Sequence, residues 1–217
     1  MIDWPVDPTK TALINVDLQN VFVEGYDISS PDGPECVARL NRLSSACRSS
    51  GVMVIHTAQE SRADGSNIGI AAEVVMSYLA DQGMTRGGIT QGSEPAALSP
   101  YLEVEDSDIV LIKPRYGAFT GTDLDLILRT NDIEAVIIGG IATNVCCETT
   151  AREANMRDYK VFFLSDGTSN RGLGDLSAED IKKAVLETMR FAFGQVLTVD
   201  EMIAKLELAG TLVKAAE

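Results

Sequence analysis

Histidine is nearly absent from this chain: His56 is the only one in 217 residues. An imidazole-rich metal site cannot be built from it, and a papain-like Cys–His pair has a single candidate base. Basic residues are scarce as well, 18 Lys and Arg against 32 Asp and Glu, for a formal charge of −14. So acidic a surface repels phosphate backbones, and no Lys/Arg cluster interrupts it, so nucleic acid is not an expected partner. Long apolar runs are missing too. Nothing approaches the roughly 20 residues that a helix needs to span a bilayer, and no membrane partner is expected. The opening MIDWPVDPTK has no basic start followed by an apolar core, and the expected location is cytoplasmic. Cysteine is limited to Cys36, Cys47, Cys146 and Cys147. Two of these are adjacent and two share one helical-looking stretch, which does not make the disulfide framework of a small secreted domain.

What is present is ordinary globular material: 45% apolar and 23% charged residues, enough for one domain with a substantial core. Short apolar runs alternate with amphipathic stretches, the pattern of a parallel sheet covered by helices. Strands are expected over 11–17, 52–58, 108–113, 135–140, 160–166 and 195–199. Helices are expected over 33–50, 123–130, 144–157, 178–193 and 200–208. Val37, Leu40, Leu43 and Cys47 carry the helical spacing in the first of these. Residues 60–107 break the rhythm with one short helix, expected over 71–79, and the Gly-rich run MTRGGITQGSEP. A long irregular insertion in a compact domain is expected to be a functional flap or a subunit contact. No linker divides the chain, so 1–217 is read as a single domain.

In open α/β sheets, ligands bind beyond the carboxyl ends of the strands, where the strand order reverses. The polar residues that end apolar runs are Asp17 after ALINV, Lys113 after IVLI and Asp166 after VFFL, and AVIIGG leads into IATNVCC. A carboxylate, an ammonium and a thiol should therefore meet on one sheet edge. Asp166, in SDGTSN, is read as a helix cap. Lys113 and Asp17 can neutralise each other where either charge alone would be costly to bury. Thr143 or Asn144 can cap the following helix, which puts Cys146 in its first turn. There the helix dipole favours thiolate, and free N–H groups can receive an oxyanion. Cys147 points elsewhere and is read as core. His56, before its strand's end, is read as a hydrogen-bonded strand residue rather than a partner for a cysteine. No GxGxxG follows the first strand, where LQNVFVEG stands, which argues against a dinucleotide-binding domain.

The motifs ALINVDLQNVF (12–22), LIKPRYGAF (111–119) and GGIATNVCCETTAREA (139–154) make the chain resemble the isochorismatase-like cysteine hydrolases over nearly its whole length. Within that family the motifs agree best with ureidoacrylate amidohydrolases, through KPRY, the Phe that follows it and GIATNVC. The resemblance implies a three-layer, Rossmann-like α/β sandwich with a six-stranded parallel sheet between helices. It maps a catalytic triad onto Asp17, Lys113 and Cys146 and an oxyanion hole onto the N–H groups of Ala142 and Cys146. It also implies a cis peptide at Ile141–Ala142 and a homo-oligomer, dimer or tetramer.

Two departures narrow the activity that the resemblance implies. Family nicotinamidases bind a metal through an Asp-x-His cluster after the second strand, but HTAQES (56–61) has Gln59 and Ser61 at those places. No metal and no other cofactor is expected. Isochorismatases proper, which cleave a vinyl ether, lack the nucleophilic cysteine that stands here at 146. The implied activity is cysteine-dependent cleavage of a C–N bond in a small ureido, carbamoyl or amide substrate, through a thioester-type intermediate. Gln19, Asn20, Phe22, Gln59, Arg115, Tyr116 and Phe119, all near strand ends, are candidate substrate-binding residues. Arg115 is open between a surface salt bridge and a clamp for a substrate carboxylate. Another small substrate for the same hydrolase, or a redox or binding role using Cys146 and Cys147, are the competing readings.

Overall fold

The computed structural model describes residues 2–84 and 87–216, with side chains through Thr211. Six strands form one sheet: β1 (Thr11–Val16), β2 (Met53–Gln59), β3 (Ile109–Lys113), β4 (Ala135–Ile141), β5 (Lys160–Ser169) and β6 (Gln195–Leu197). Their order is β3-β2-β1-β4-β5-β6, and every pairing is parallel. β1 and β4, at the centre, are buried at every position because helices cover both faces. Beyond β1 the chain winds outward to β2 and β3, and after β4 it winds the other way. The reversal therefore falls between β1 and β4, which fixes where a ligand crevice opens.

Side chains of alternate strand residues feed opposite layers. Ala12, Ile14 and Val16 pack with α4 (Leu124–Thr130), α5 (Glu148–Asn155) and α6 (Ala178–Thr188), through Leu124, Leu128, Ala151 and Val185. Leu13, Val54, Ile137 and Phe162 pack with α2 (Gly33–Ser50) and α7 (Val199–Ala216), through Val37, Leu40, Met202 and Leu206. α2 matches its expected span, with Pro34 in its first turn and Gly51 closing it at φ +84°. α7 runs past the expected end at 208. Gly210 costs a helix interior only about 1 kcal/mol against Ala, and good helix formers flank it.

β6 ends at Leu197 rather than at 199, the helix expected over 178–193 passes into a π-type turn at Met189–Phe193, and two further departures lie near the site. β5 continues to Ser169 instead of stopping at Asp166, after a register shift between Ile138 and Gly140 on β4. Asp166 caps a helix as read, but it is α7: its Oδ1 accepts the Val199 N–H at 2.7 Å. The helix expected over 144–157 opens as a wide π-type turn, Thr143–Cys147, before α5 begins. Such π-type turns are frequent at functional sites.

The irregular segment holds one long helix and a stretch that returns beside α1. After the single turn α1 (Asn20–Val23), residues 94–99 return to lie against 18–20, with Ser99 N–H donating to Leu18 O at 2.8 Å and Asn20 N–H to Ala97 O at 2.9 Å. α3 (Ile70–Asp81) is three residues longer than the expected 71–79. Thr85 and Arg86 of the Gly-rich run lie outside the described residues. The segment folds over the carboxyl edge of β2 and β3.

Candidate active site

β1 ends by turning the chain sharply at Asp17, whose φ of +50° places a non-glycine residue in the left-handed region. That conformation is uncommon and clusters at functional sites. Thr57 on β2 holds it from two sides. The Asp17 N–H donates to Thr57 O at 3.1 Å, and Thr57 Oγ1 donates to Asp17 Oδ1 at 2.7 Å. The other oxygen, Oδ2, lies 2.8 Å from Lys113 Nζ, and both side chains have no exposure. The ammonium directs hydrogen bonds to the carbonyls of Arg115 (2.8 Å) and Tyr116 (2.9 Å). Asp17 Oδ2 is thus ion-paired with Lys113 in a fully buried setting. It keeps lone-pair capacity for a proton. Burial works against the charge on Lys113, yet Asp17 and the Cys146 sulfur outweigh it and leave its pKa raised.

On the other side of the switch point, β4 leads through Gly139 and Gly140 into the wide turn. Gly140 has φ +127°, and a Cβ there would lie 2.1 Å from Val16 O. Only glycine lets β4 pass so close to the end of β1. The Ile141–Ala142 peptide is cis. Thr150 Oγ1 donates to Cys146 O at 2.7 Å and accepts the Ala118 N–H at 3.1 Å, which ties the turn to the segment carrying Lys113.

Cys146 faces Gln59 Oε1 across 3.8 Å and is 5% exposed. Burial pushes this thiol up to about 12, with Lys113 pulling down and Asp17 pushing up, so the pull of the helix start toward thiolate is outweighed here. The dipole of a single turn is worth at most ~2 kcal/mol, less than desolvating a full charge. At neutral pH the sulfur carries its proton until an acceptor takes it. Cys147 has no exposure, and burial raises its thiol pKa well above the ordinary range.

Cys146 opens onto a cavity of about 450 Å³. Phe22, Gln59 and Tyr116 line it, as does Ala142. The remaining candidates do not. Gln19 is fully buried and binds the main chain of Gln59 (2.8 and 3.1 Å). Asn20 turns outward to Glu94, at 2.8 Å. Phe119 packs into the core, 6.0 Å from the Tyr159 ring, with the Arg157 guanidinium 4.8 Å above it. Among the described residues Arg115 enters neither a salt bridge nor this cavity. It lines an adjacent cavity of about 460 Å³ and donates to the carbonyls of Asn67 (2.9 Å) and Pro114 (2.7 Å).

Sequence reasoning missed the cavity's other walls. α3 contributes Val74, Val75, Tyr78 and Leu79, and the chain after β5 contributes Arg171. Arg171 meets neutral atoms, the Asp27 carbonyl at 2.5 Å and the Met84 sulfur at 3.5 Å. The signal for it was present in SNRG, had the strand been carried on to Ser169. His56 belongs to a separate buried cluster: its Nε2 lies 3.0 Å from Asp108 Oδ2, which Arg48 also holds at 2.6 Å. Burial lowers the imidazole pKa despite the pull of Asp108. Among the described residues no group of His, Cys, Asp and Glu is placed to hold a metal ion, and no helix is long and apolar enough to cross a membrane.

The family model for the isochorismatase domain matches residues 11–201. The chain is 32% identical over 209 residues to the ureidoacrylate amidohydrolase RutB of Methylobacterium radiotolerans, a match covering 89% of this chain and 78% of that one. It is 29% identical to the isochorismatase of Bacillus subtilis, covering 79% of this chain and about half (52%) of that one. The crystal structure of a cysteine hydrolase from Pseudomonas syringae pv. phaseolicola superposes with a TM-score of 0.87 at 34% identity, over 96% of this chain and 97% of that one. The chain belongs to the isochorismatase family and is a hydrolase of that family.

Proposed function

We propose that this hydrolase is a cysteine-dependent amidohydrolase that cleaves the C–N bond of a small ureido, carbamoyl or amide compound carrying an anionic group. The observation that carries the reading is the meeting of Asp17, Lys113 and Cys146 at the switch point, beside an open cavity of small-molecule size. Asp17 Oδ2 takes the thiol proton as Cys146 attacks the carbonyl or carbamoyl carbon. Negative charge on the substrate oxygen rests on the N–H groups of Ala142 and Cys146. Protonated Asp17 then gives its proton to the leaving nitrogen and later accepts one from the water that cleaves the thioester. Lys113 keeps the buried site near neutrality while the carboxylate and sulfur exchange the proton. The similarity to ureidoacrylate amidohydrolase supports the ureido class.

Among the described residues Arg171, and not Arg115, is the cation lining this cavity, and it takes the role of carboxylate clamp. A charge-assisted hydrogen bond is worth ~1.5–3 kcal/mol, so Arg171→Gln should raise KM for carboxylate-bearing ureido substrates by about 10–100-fold. Neutral amides should be turned over with little change. The test is kcat/KM across ureidoacrylate, N-carbamoyl amino acids, biuret, simple carboxamides and nicotinamide. A preference for simple amides or nicotinamide by more than roughly tenfold, about 1.4 kcal/mol in the transition state, would overturn the ureido assignment.

Activity is also expected to survive exhaustive chelation by EDTA, because Gln59 and Ser61 replace acidic and imidazole ligands. Activity lost to EDTA and restored by zinc, iron or manganese would refute that expectation.

A further inference from the structure

β1 and β2 pair only as far as Asn15 and His56, because β1 turns away at Asp17. β2 nevertheless continues to Gln59, which pairs with Lys113 of β3 on its other side. The main-chain N–H and C=O of Gln59 that face the lost neighbour sit in a residue only 7% exposed. Left unpaired, such groups are costly. The side chain of Gln19 takes the place of the missing strand: its Oε1 accepts the Gln59 N–H at 2.8 Å, and its Nε2 donates to Gln59 O at 3.1 Å. The second Nε2 proton goes to Ala96 O at 2.6 Å.

These three bonds join points that are far apart in sequence and share one role. Gln59 is the last residue before the insertion leaves the sheet. Ala96 lies where the insertion comes back, in the stretch that bridges Gln19 to Leu98. One fully buried carboxamide therefore holds both feet of the segment that carries α3 and walls the cavity. The Gln59 side chain, whose main chain it grips, faces the Cys146 sulfur. We infer that Gln19 is a positioning residue: it closes the base of the 60–95 flap and sets Gln59 against the reactive thiol. Asn20, its neighbour, touches only the returning foot, at Glu94, and provides the control.

Gln19→Met keeps the volume and removes all three bonds; Gln19→Glu keeps an acceptor for the Gln59 N–H and removes both donors. Hydrogen–deuterium exchange on the whole chain should quicken about tenfold in peptides from 60–96 in both variants, with β4 and β5 unchanged. Iodoacetamide labelling read by peptide mass spectrometry should modify Cys146 roughly tenfold faster, with fully buried Cys147 as internal reference. kcat should fall about tenfold, beyond any rise in KM, because Gln59 shifts at the reacting centre. Asn20→Ala should leave Cys146 labelling and kcat as in the parent. If Gln19→Met does not fold, Gln19→Glu carries the same readouts. Unchanged exchange over 60–96, or a loss of protection spread evenly over the sheet with Cys146 labelling and kcat as in the parent, would overturn the inference. The kcat readout rests on Cys146 as nucleophile, whereas exchange does not, so failure of the proposed reaction and failure of the clamp would look different.

Discussion

Cys146→Ala is expected to reduce turnover to background, a loss of roughly 10⁴–10⁶-fold for removal of a nucleophile, while Cys147→Ala keeps most of it. The two residues are neighbours, so composition and local charge cannot distinguish them; direction does. Cys146 reaches the cavity wall, with Gln59 Oε1 at 3.8 Å and Asp17 and Lys113 acting on its ionisation. Cys147 is sealed in the layer that packs against α5 and α6, and its N–H donates back to Ala142 O at 3.1 Å. Its removal leaves a small core void, with a cost of about 1–2 kcal/mol that appears as a lower Tm. The measurement is kcat on the best substrate of the ureido and amide panel, alongside thermal melting. Equal losses of kcat in two folded variants would remove Cys146 from its role.

The sheet was legible because apolar runs with polar ends have few other readings, and Asp17, Lys113 and the turn after β4 were found by where their runs stop. The end of β5 was not. Residues 165–169, SDGTS, have the composition of a loop, and they form a strand because β4 shifts register at Gly139 and Gly140 and offers a backbone to pair with. That tertiary event is invisible to local pattern, and Arg171 was missed with it. Proximity to a strand end also says nothing about which side of the edge a side chain takes. Of the neighbours of Asp17, Phe22 reaches the cavity, while Gln19 turns back into the sheet and Asn20 outward. Within α3 Leu79 is the one buried position, and Val74 and Tyr78 stand at the cavity wall, which the apolar composition of the helix does not distinguish. The net ionisation of Cys146 is hidden for a related reason. A helix start is readable from sequence, but the depth at which the sulfur lies is not, and depth decides its ionisation.

Asp17→Asn should lose turnover about as fully as Cys146→Ala, and for a reason the buried thiol makes sharper. With that thiol held near 12 by its surroundings, attack requires an acceptor that takes the proton in the same step, and an amide cannot serve. The substitution also strands Lys113. A buried ammonium deprived of its partner costs about 3–5 kcal/mol, so the variant should melt well below the parent at neutral pH. Its pH dependence should reverse. In the parent, the Lys113 pKa is raised in the fold, so the pair's stabilisation is complete below the unfolded-state pKa of lysine and is lost as pH rises through the folded value. In Asp17→Asn burial acts unopposed by Asp17 and lowers the folded pKa, so the unfolded chain binds more protons and stability rises with pH. Asp17→Asn combined with Lys113→Met removes the stranded charge and should regain much of the lost stability while remaining inactive. Melting curves from pH 6 to 10 with kcat on the same samples separate the effects. A single variant that keeps turnover within about tenfold of the parent would show that Asp17 is not the base, since losing one costs roughly 10²–10⁴-fold.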